Sequence, residues 1–178
     1  MNAQEVLEKV KACGFETAAP LDVATLHPLP EVRAMCADNK CHVYGRSWAC
    51  PPACGTVEEC AARIAGFRSG VLVQSVGELE DEWDFEGMKA LEETHKKRFI
   101  RAVEMLRETW DGEMLPLAAG TCGRCKTCAY PDAPCRFPKL KVSSMEAYGL
   151  LVNDICTKNG VPYYYGKNKL AYTSCILF

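Results

Sequence analysis

The chain has 178 residues, of which 48% are hydrophobic, so it is long and apolar enough to bury a core. Its net charge is −2, so the chain lacks the excess of basic residues that is expected of a nucleic-acid-binding protein. No apolar run approaches the ~18 residues of a membrane span, and the charged N-terminal segment lacks the apolar core of a secretory signal. Twelve cysteines in such a chain therefore predict a cytoplasmic protein whose thiols bind metal or carry out redox chemistry.

Short helices and strands are predicted before the longest helix. In chain order they are a helix over 3–12, a short strand within 15–25, a helix over 30–37, a helix over 56–67 and a strand over 71–76. Thr56 and Glu59 form a capping box, which fixes the start of the third helix.

The second half begins with the longest helix. The predicted elements are a helix over 85–110, a strand over 114–119, a helix from Ser143 to Gly160, and a closing hairpin of 162–165 with 170–178. His95 lies on the apolar face of the long helix, which favours a core histidine over a metal ligand. Ser143 and Glu146 repeat the capping-box pattern.

This order predicts an α+β (or α/β) fold in which helices pack on one mixed sheet. We expect a single domain over residues 1–178, with cysteine-rich metal-binding loops at 36–60 and 122–138.

The second cysteine loop contains Cys122, Cys125, Cys128 and Cys135 in the spacing C-x2-C-x2-C-x6-C. Three thiolates at two-residue gaps can wrap three corners of a [4Fe-4S] cubane, and the pattern is close to that of bacterial ferredoxins. Structural zinc more often uses two separated C-x2-C pairs, so zinc is the alternative. The spacing leaves open whether Cys135 closes this cluster or another.

Positive charge surrounds the second loop. Arg124, Lys126 and Arg136 would raise the reduction potential of an anionic cluster, or they are simple surface charges. The N-terminus of the helix predicted from Ser143 would act in the same direction.

The first loop contains Cys36, Cys41 and Cys50, and either Cys54 or Cys60 can complete a four-cysteine site. The spacing favours Cys54, which precedes a helix start, whereas Cys60 can also be a small buried residue of that helix. Tyr44 and Trp48 either shield the metal from water or simply pack. His42 is a weaker candidate ligand because enough thiolates are available.

Several motifs occur together in one order. They are Cys36-x4-Cys41, Tyr44-Gly45-x2-Trp48-x-Cys50-Pro51-Pro52, Gly120-Thr121-Cys122-x2-Cys125-x2-Cys128, Pro134-Cys135-Arg136-Phe137-Pro138 and Ser144-Met145-Glu146-Ala147-Tyr148-Gly149. Over residues 30–178 the chain resembles an uncharacterised family of cysteine-rich predicted metal-binding proteins of anaerobic bacteria and archaea. The resemblance implies metal or iron–sulfur binding without an established reaction. It also implies Cys60, rather than Cys54, as the fourth ligand of the first site, and leaves Cys13, Cys156 and Cys175 outside the pattern as core thiols.

Three functions are consistent with these observations. The first is a redox or electron-transfer protein of anaerobic metabolism with two [4Fe-4S] clusters, whose redox partner the sequence does not identify. The second is an enzyme that binds a small ligand at an iron left open by a three-cysteine site, with His42, Tyr44, Arg46 and Glu146 as candidates to orient that ligand. The third is a structural zinc protein.

Overall fold

The structure is a computed structural model that describes residues 2–178. Its helices are α1 (Ala3–Lys11), α2 (Pro30–Met35), α3 (Val57–Ile64), α4 (Phe85–Thr109) and α5 (Val152–Lys158). Its strands are β1 (Thr17–Leu21), β2 (Gly70–Glu78), β3 (Leu115–Ala118), β4 (Ser143–Ser144) and β5 (Lys169–Leu177). Short 3₁₀ turns cover Val23–Thr25, Cys36–Asp38 and Glu146–Tyr148.

The strands form one mixed sheet in the order β1-β2-β5-β3-β4. The pairs β1–β2, β2–β5 and β5–β3 are antiparallel, and the short pair β3–β4 is parallel. The sheet with its packed helices confirms the predicted α+β fold class.

Two hydrophobic cores cover the two faces of the sheet. Because neighbouring strand residues point to opposite faces, Val71 and Val73 enter one core, with residues of α1 and α4, while Leu72 enters the other. This second core also contains residues of α3 and α5, and Met145 and Tyr148 of the segment after β4. The candidate site is built on that segment.

The helix predicted over 85–110 is confirmed as α4, and its His95 is a core histidine. The imidazole hydrogen-bonds to the hydroxyls of Ser75 and Ser174 at 3.0 Å and 2.7 Å, so both ring nitrogens are satisfied. The capping box before α3 is also confirmed, since Thr56 and Glu59 exchange the two expected hydrogen bonds.

The helix predicted from Ser143 is wrong in its first half. Ser143 and Ser144 instead pair with β3 as a strand, and the turn that follows ends at Gly149, whose φ is +77°. Helix α5 begins only at Val152 and ends near Gly160, as predicted. Strand pairing over a long sequence separation therefore overrides the local capping pattern at Ser143.

The closing hairpin is also wrong. Strand β5 pairs with β2 and β3 rather than with residues 162–165, which form no strand. The buried side chain of Gln74 holds that segment instead: its amide donates to the Pro162 carbonyl at 2.9 Å and accepts from the Tyr165 hydroxyl at 2.6 Å. Side-chain bonds thus replace a strand ladder there.

No helix within residues 2–178 is long and apolar enough to cross a membrane.

Candidate metal centre

Both cysteine loops meet at the ends of the parallel strands β3 and β4. Gly120 and Thr121 follow β3 after one intervening residue, and the turn Glu146–Tyr148 follows β4. Because parallel strands end at the same edge of a sheet, these segments lie side by side. Two cavities open at this edge, one for each loop.

The first of these, the four-cysteine cavity, has a volume of about 420 Å³ and is lined by Cys122, Cys125, Cys128 and Cys135. All four predicted ligands of the second loop therefore face one space. Basic side chains surround them: the lining also includes Arg46, Arg124, Lys126 and Lys141.

Two of the three basic residues predicted beside this site line the cavity. Arg124 does so while forming an ion pair with Glu104 at 3.0 Å, and Lys126 is the other. Arg136 is not part of the lining, and its guanidinium donates to the Thr127 carbonyl at 2.9 Å. Arg136 therefore braces the loop.

The second cavity, called here the three-cysteine cavity, has a volume of about 300 Å³. Cys36, Cys41 and Cys50 line it, together with Tyr44 and Glu146. The Cys36 thiol points toward the Glu146 carbonyl, with a sulfur–oxygen distance of 3.9 Å. Glu146 keeps an exposed surface, but the protein packed near its carboxyl partly desolvates it and so raises its pKa.

Cys54 and Cys60 do not line either cavity. They lie behind the three-cysteine cavity as an adjoining pair of buried thiols, here called the thiol pair. The Cys54 sulfur is 3.5 Å from the Ala147 carbonyl oxygen, and the Cys60 sulfur is 3.9 Å from the Cys54 carbonyl oxygen. Arg33 extends from α2 to this pair and lies 3.8 Å from the Cys60 sulfur.

The surroundings shift the thiol pKa values in different directions. Burial raises the pKa of Cys36 and of Cys50, so both thiols stay protonated at neutral pH until a bound metal displaces the protons. In the thiol pair, a hydrogen bond between the sulfurs raises the pKa of Cys54 and lowers that of Cys60, and Arg33 further lowers the latter. Negative charge is thus most stable on Cys60.

Cys128 has a pKa below its ordinary value. Partial burial raises that pKa, but hydrogen bonds from the backbone N–H groups of Tyr130 and Trp48 and from the Ser47 hydroxyl outweigh the effect of burial. Since Ser47 and Trp48 come from the first loop, that loop stabilises a thiolate of the second.

The two cavities adjoin. Thr121 lines both of them, and the Ser47 hydroxyl lies near Cys50 of one and Cys128 of the other, where it lowers the pKa of each thiol. A negative charge on Cys122 also raises the pKa of Cys50, across the boundary between the two cavities.

Trp48 ties the two loops together. Its indole N–H donates to the Ala133 carbonyl at 2.9 Å, and its ring packs edge-on against Tyr130 with centroids 4.9 Å apart. Trp48 also lines the four-cysteine cavity, whereas Tyr44 lines the other.

The four residues considered for orienting a ligand at the first site divide between the cavities. Tyr44 and Glu146 line the three-cysteine cavity, whereas His42 and Arg46 line the four-cysteine cavity. His42 itself lies in a tight turn, with a φ of +58°.

The remaining cysteines lie in the hydrophobic cores. Cys13 packs with α1 and α4, and Cys156 and Cys175 lie in the core on the other face of the sheet. Burial raises the pKa of all three thiols.

Sequence reasoning missed Ser47 and Thr121 as site residues. Their closeness in sequence to predicted ligands could have indicated them, since Thr121 directly precedes Cys122 and Ser47 lies three positions before Cys50. Their shared position between the loops depends on the tertiary fold.

The chemistry of these side chains suits a thiophilic metal. Seven cysteine thiols line the two cavities, and sulfur is the donor chosen by zinc, copper(I) and iron–sulfur clusters. Over residues 2–178, no three His, Cys, Asp or Glu side chains are gathered at the spacing that holds one metal ion.

Comparison with known proteins identifies one family. The model of a family described as "Predicted metal-binding protein (DUF2284)" matches residues 19–178. Searches of curated proteins and of solved structures give no significant match.

Proposed function

Since the chain belongs to the DUF2284 family of predicted metal-binding proteins, we propose that its metal is iron, held as two [4Fe-4S] clusters in a redox or electron-transfer protein. The four-cysteine cavity would hold one cluster through Cys122, Cys125, Cys128 and Cys135. The three-cysteine cavity would hold the other through Cys36, Cys41 and Cys50.

The observation that carries this proposal is the arrangement of seven thiols around two adjoining cavities of several hundred cubic ångströms. A tetrahedral zinc ion draws its sulfurs to about 2.3 Å from one centre, and hence to within about 4 Å of one another. Cavities of this volume suit a larger inorganic core. The C-x2-C-x2-C spacing of the second loop supports the same assignment.

When bound, a [4Fe-4S] cluster takes up and returns one electron. The residues of this chain suit that role. Arg46, Arg124, Lys126 and Lys141 surround the four-cysteine cavity with positive charge, which favours an anionic group and its further reduction. Among residues 2–178, Thr121 alone contributes to the walls of both cavities, so the two centres would be close neighbours.

A second candidate function is supported by the three-cysteine cavity. Cys54 and Cys60 are absent from its lining, while Tyr44 and Glu146 are present. If no thiol completes this site, one iron is open to a small ligand, and the Glu146 carboxyl and the Tyr44 hydroxyl are placed to hydrogen-bond to that ligand. The protein would then be an enzyme.

Anaerobic purification followed by metal and sulfide analysis tests the main proposal. We expect brown protein with about eight iron and about eight sulfide per chain, as two [4Fe-4S] clusters require. Stoichiometric zinc without sulfide would reject the proposal in favour of a structural zinc protein.

Cysteine variants test the two sites separately. Cys50→Ser and Cys125→Ser should each remove roughly half of the iron, because each changes one cavity. Cys13→Ser is the matched control, since Cys13 lies in the core away from both cavities. Equal iron in all three variants would contradict the assignment of these cavities.

Adding cyanide, a small iron ligand, distinguishes the two candidate functions. A change in the electron paramagnetic resonance spectrum that Cys50→Ser abolishes and Cys125→Ser retains would identify an open iron in the three-cysteine cavity. An unchanged spectrum would support a pure electron carrier.

A further inference from the structure

We propose that Cys54 and Cys60 are not cluster ligands but a dithiol that is reversibly oxidised to a disulfide, exchanging its two electrons with the proposed clusters. This inference rests on the proposed function. It adds a two-electron step to a protein whose clusters each carry one electron.

The two thiols are neighbours in the fold. The Cys60 sulfur lies 3.9 Å from the carbonyl oxygen of Cys54, and the Cys54 sulfur lies 3.5 Å from the carbonyl oxygen of Ala147. The two thiols also shift each other's pKa. Neither belongs to the lining of the two cysteine cavities. Of the nine cysteines in the two loops, all within residues 2–178, these are the two that line neither of them.

Arg33 supplies the charge that such a pair needs. Its guanidinium donates to the carbonyls of Ala147 and Gly55, and these bonds hold it 3.8 Å from the Cys60 sulfur. A fixed cation beside one sulfur stabilises the thiolate, the form that reacts in disulfide chemistry. An inert pair of core thiols would not require a partly buried guanidinium beside it.

Burial limits what can exchange electrons with this pair. Cys54 is 6% exposed and Cys60 is 1% exposed, so a soluble thiol or a thiol-containing protein cannot attack either sulfur directly. Electrons must therefore pass through the protein, and the nearest redox partner would be the three-cysteine site.

Short hydrogen-bonded connections link the thiol pair to that site. The Cys54 N–H donates to the Cys50 carbonyl at 3.0 Å, and Cys50 lines the cavity. The Cys36 and Cys54 thiols point to the consecutive carbonyls of Glu146 and Ala147. Two cavity thiols are thus joined to the pair through a few bonds.

The step balances in atoms and electrons. The two S–H bonds break, one S–S bond forms, and two protons and two electrons are released. Each of the two proposed clusters, when oxidised, would accept one of these electrons, and the protons would leave to water past Cys54, the more exposed of the two residues. In the reverse direction the two electrons would come from the reduced clusters and the two protons from water.

Thiol mapping of anaerobic, cluster-loaded protein tests the inference. One sample is oxidised with ferricyanide and another is reduced with dithionite; both are quenched in acid, alkylated and mapped by mass spectrometry. We expect a Cys54–Cys60 cross-linked peptide, about 2 Da lighter than the dithiol, in the oxidised sample. In the reduced sample both residues should be alkylated.

Variants separate a redox pair from cluster ligands. Cys54→Ser and Cys60→Ser should retain the iron and sulfide of the unmodified protein and lose the cross-link. Cys60→Ala removes the thiol without burying a hydroxyl, so it is the second variant if Cys60→Ser does not fold. Cys156→Ser is the control, because Cys156 is equally buried but lies near Gln74 rather than Arg33; it should retain the cross-link.

The results distinguish failure of this inference from failure of the proposed function. Loss of about half of the iron in Cys54→Ser or Cys60→Ala would make that residue a ligand and overturn the inference, as would intact clusters with no cross-link after oxidation. Protein without iron would overturn the proposed function, and the metal analysis shows this before any peptide is mapped.

Discussion

Cys50 and Cys128 belong to different cysteine loops, yet the single hydroxyl of Ser47 lies within hydrogen-bonding reach of both thiols and lowers the pKa of each. A hydrogen bond to a cysteine sulfur stabilises negative charge and so raises the potential of a cluster bound through that sulfur. The side chain of Ser47 is therefore expected to act on both proposed centres.

We predict that Ser47→Ala lowers both reduction potentials. A hydrogen bond contributes about 1 kcal/mol. For a one-electron couple, this energy corresponds to a decrease in reduction potential of at most about 40 mV. A redox titration followed by electron paramagnetic resonance measures both values. Ser69→Ala is the control, because Ser69 lines neither cavity; if only one potential changes, Ser47 does not serve both sites.

Trp48 is expected to protect the centre from oxygen. We predict that the visible absorbance of the cluster-loaded Trp48→Phe variant bleaches faster in air than that of the unmodified protein. The variant lacks the 2.9 Å hydrogen bond from the indole to the Ala133 carbonyl, which holds the two loops together. The free energy of unfolding should fall by about 1 kcal/mol. Absorbance decay and urea unfolding provide the measurements.

Trp83→Phe is the matched control for that variant. Trp83 is 69% exposed and lies far from the cysteine loops, so its replacement should leave the bleaching rate unchanged. Identical decay in both variants would show that Trp48 does not shield the centre.

Gly149 is required by the packing of the turn after β4 against α2. Its φ is +77°, and a Cβ there would lie 3.0 Å from both the nitrogen and the oxygen of Leu29. We predict that Gly149→Ala lowers the free energy of unfolding by about 2–4 kcal/mol, from left-handed backbone strain of about 1 kcal/mol and from overpacking.

Gly160→Ala separates these two contributions. Gly160 has a similar φ of +67°, but nothing lies within 4 Å of a Cβ built there. In urea unfolding, the free energy of unfolding of this control should fall only by the contribution of left-handed backbone strain. If the two variants lose equal stability, the close contact with Leu29 is unimportant.

His95 should make the protein less stable in mild acid. Burial lowers its pKa from 6.5 to about 4, so its contribution is present above about pH 6.5 and is lost as the pH falls toward 4. Between about pH 7.5 and about pH 5.5 this imidazole should reduce the free energy of unfolding by about 1.4 kcal/mol.

The variant His95→Gln should remove that part of the pH dependence, whatever its effect at a single pH. Parallel urea unfolding at the two pH values measures the difference, and the exposed His27→Gln serves as the control. An unchanged pH dependence in His95→Gln would mean that another group is responsible.

Local patterns predicted the helices that depend on nearby residues. The apolar periodicity of α4 and the capping box of α3 act within a few turns of chain, so both were correct. Strand β4 was missed, because Ser143 and Ser144 are strand residues only by pairing with Leu117 and Ala118. That pairing depends on a fold that brings distant segments together.

In the candidate site, too, local sequence patterns predicted some features, whereas others depend on the tertiary fold. Cysteine spacing predicted the group that lines the four-cysteine cavity. The same reasoning did not separate Cys54 and Cys60 from the cavity-lining thiols, since their position is set by Arg33 on α2 and by the turn after β4. Spacing also placed His42 and Arg46 with the three-cysteine cavity, whereas they line the other one, because the path of the loop between the cavities depends on the tertiary fold.

The shared wall at Thr121 makes the two proposed centres mutually repelling. Once one of them gains an electron, the next electron must enter beside that charge. Two otherwise similar sites then accept electrons in sequence, as two adjacent acids lose protons in separate steps. Because the two proposed centres lie so close together, they are expected to be reduced one after the other.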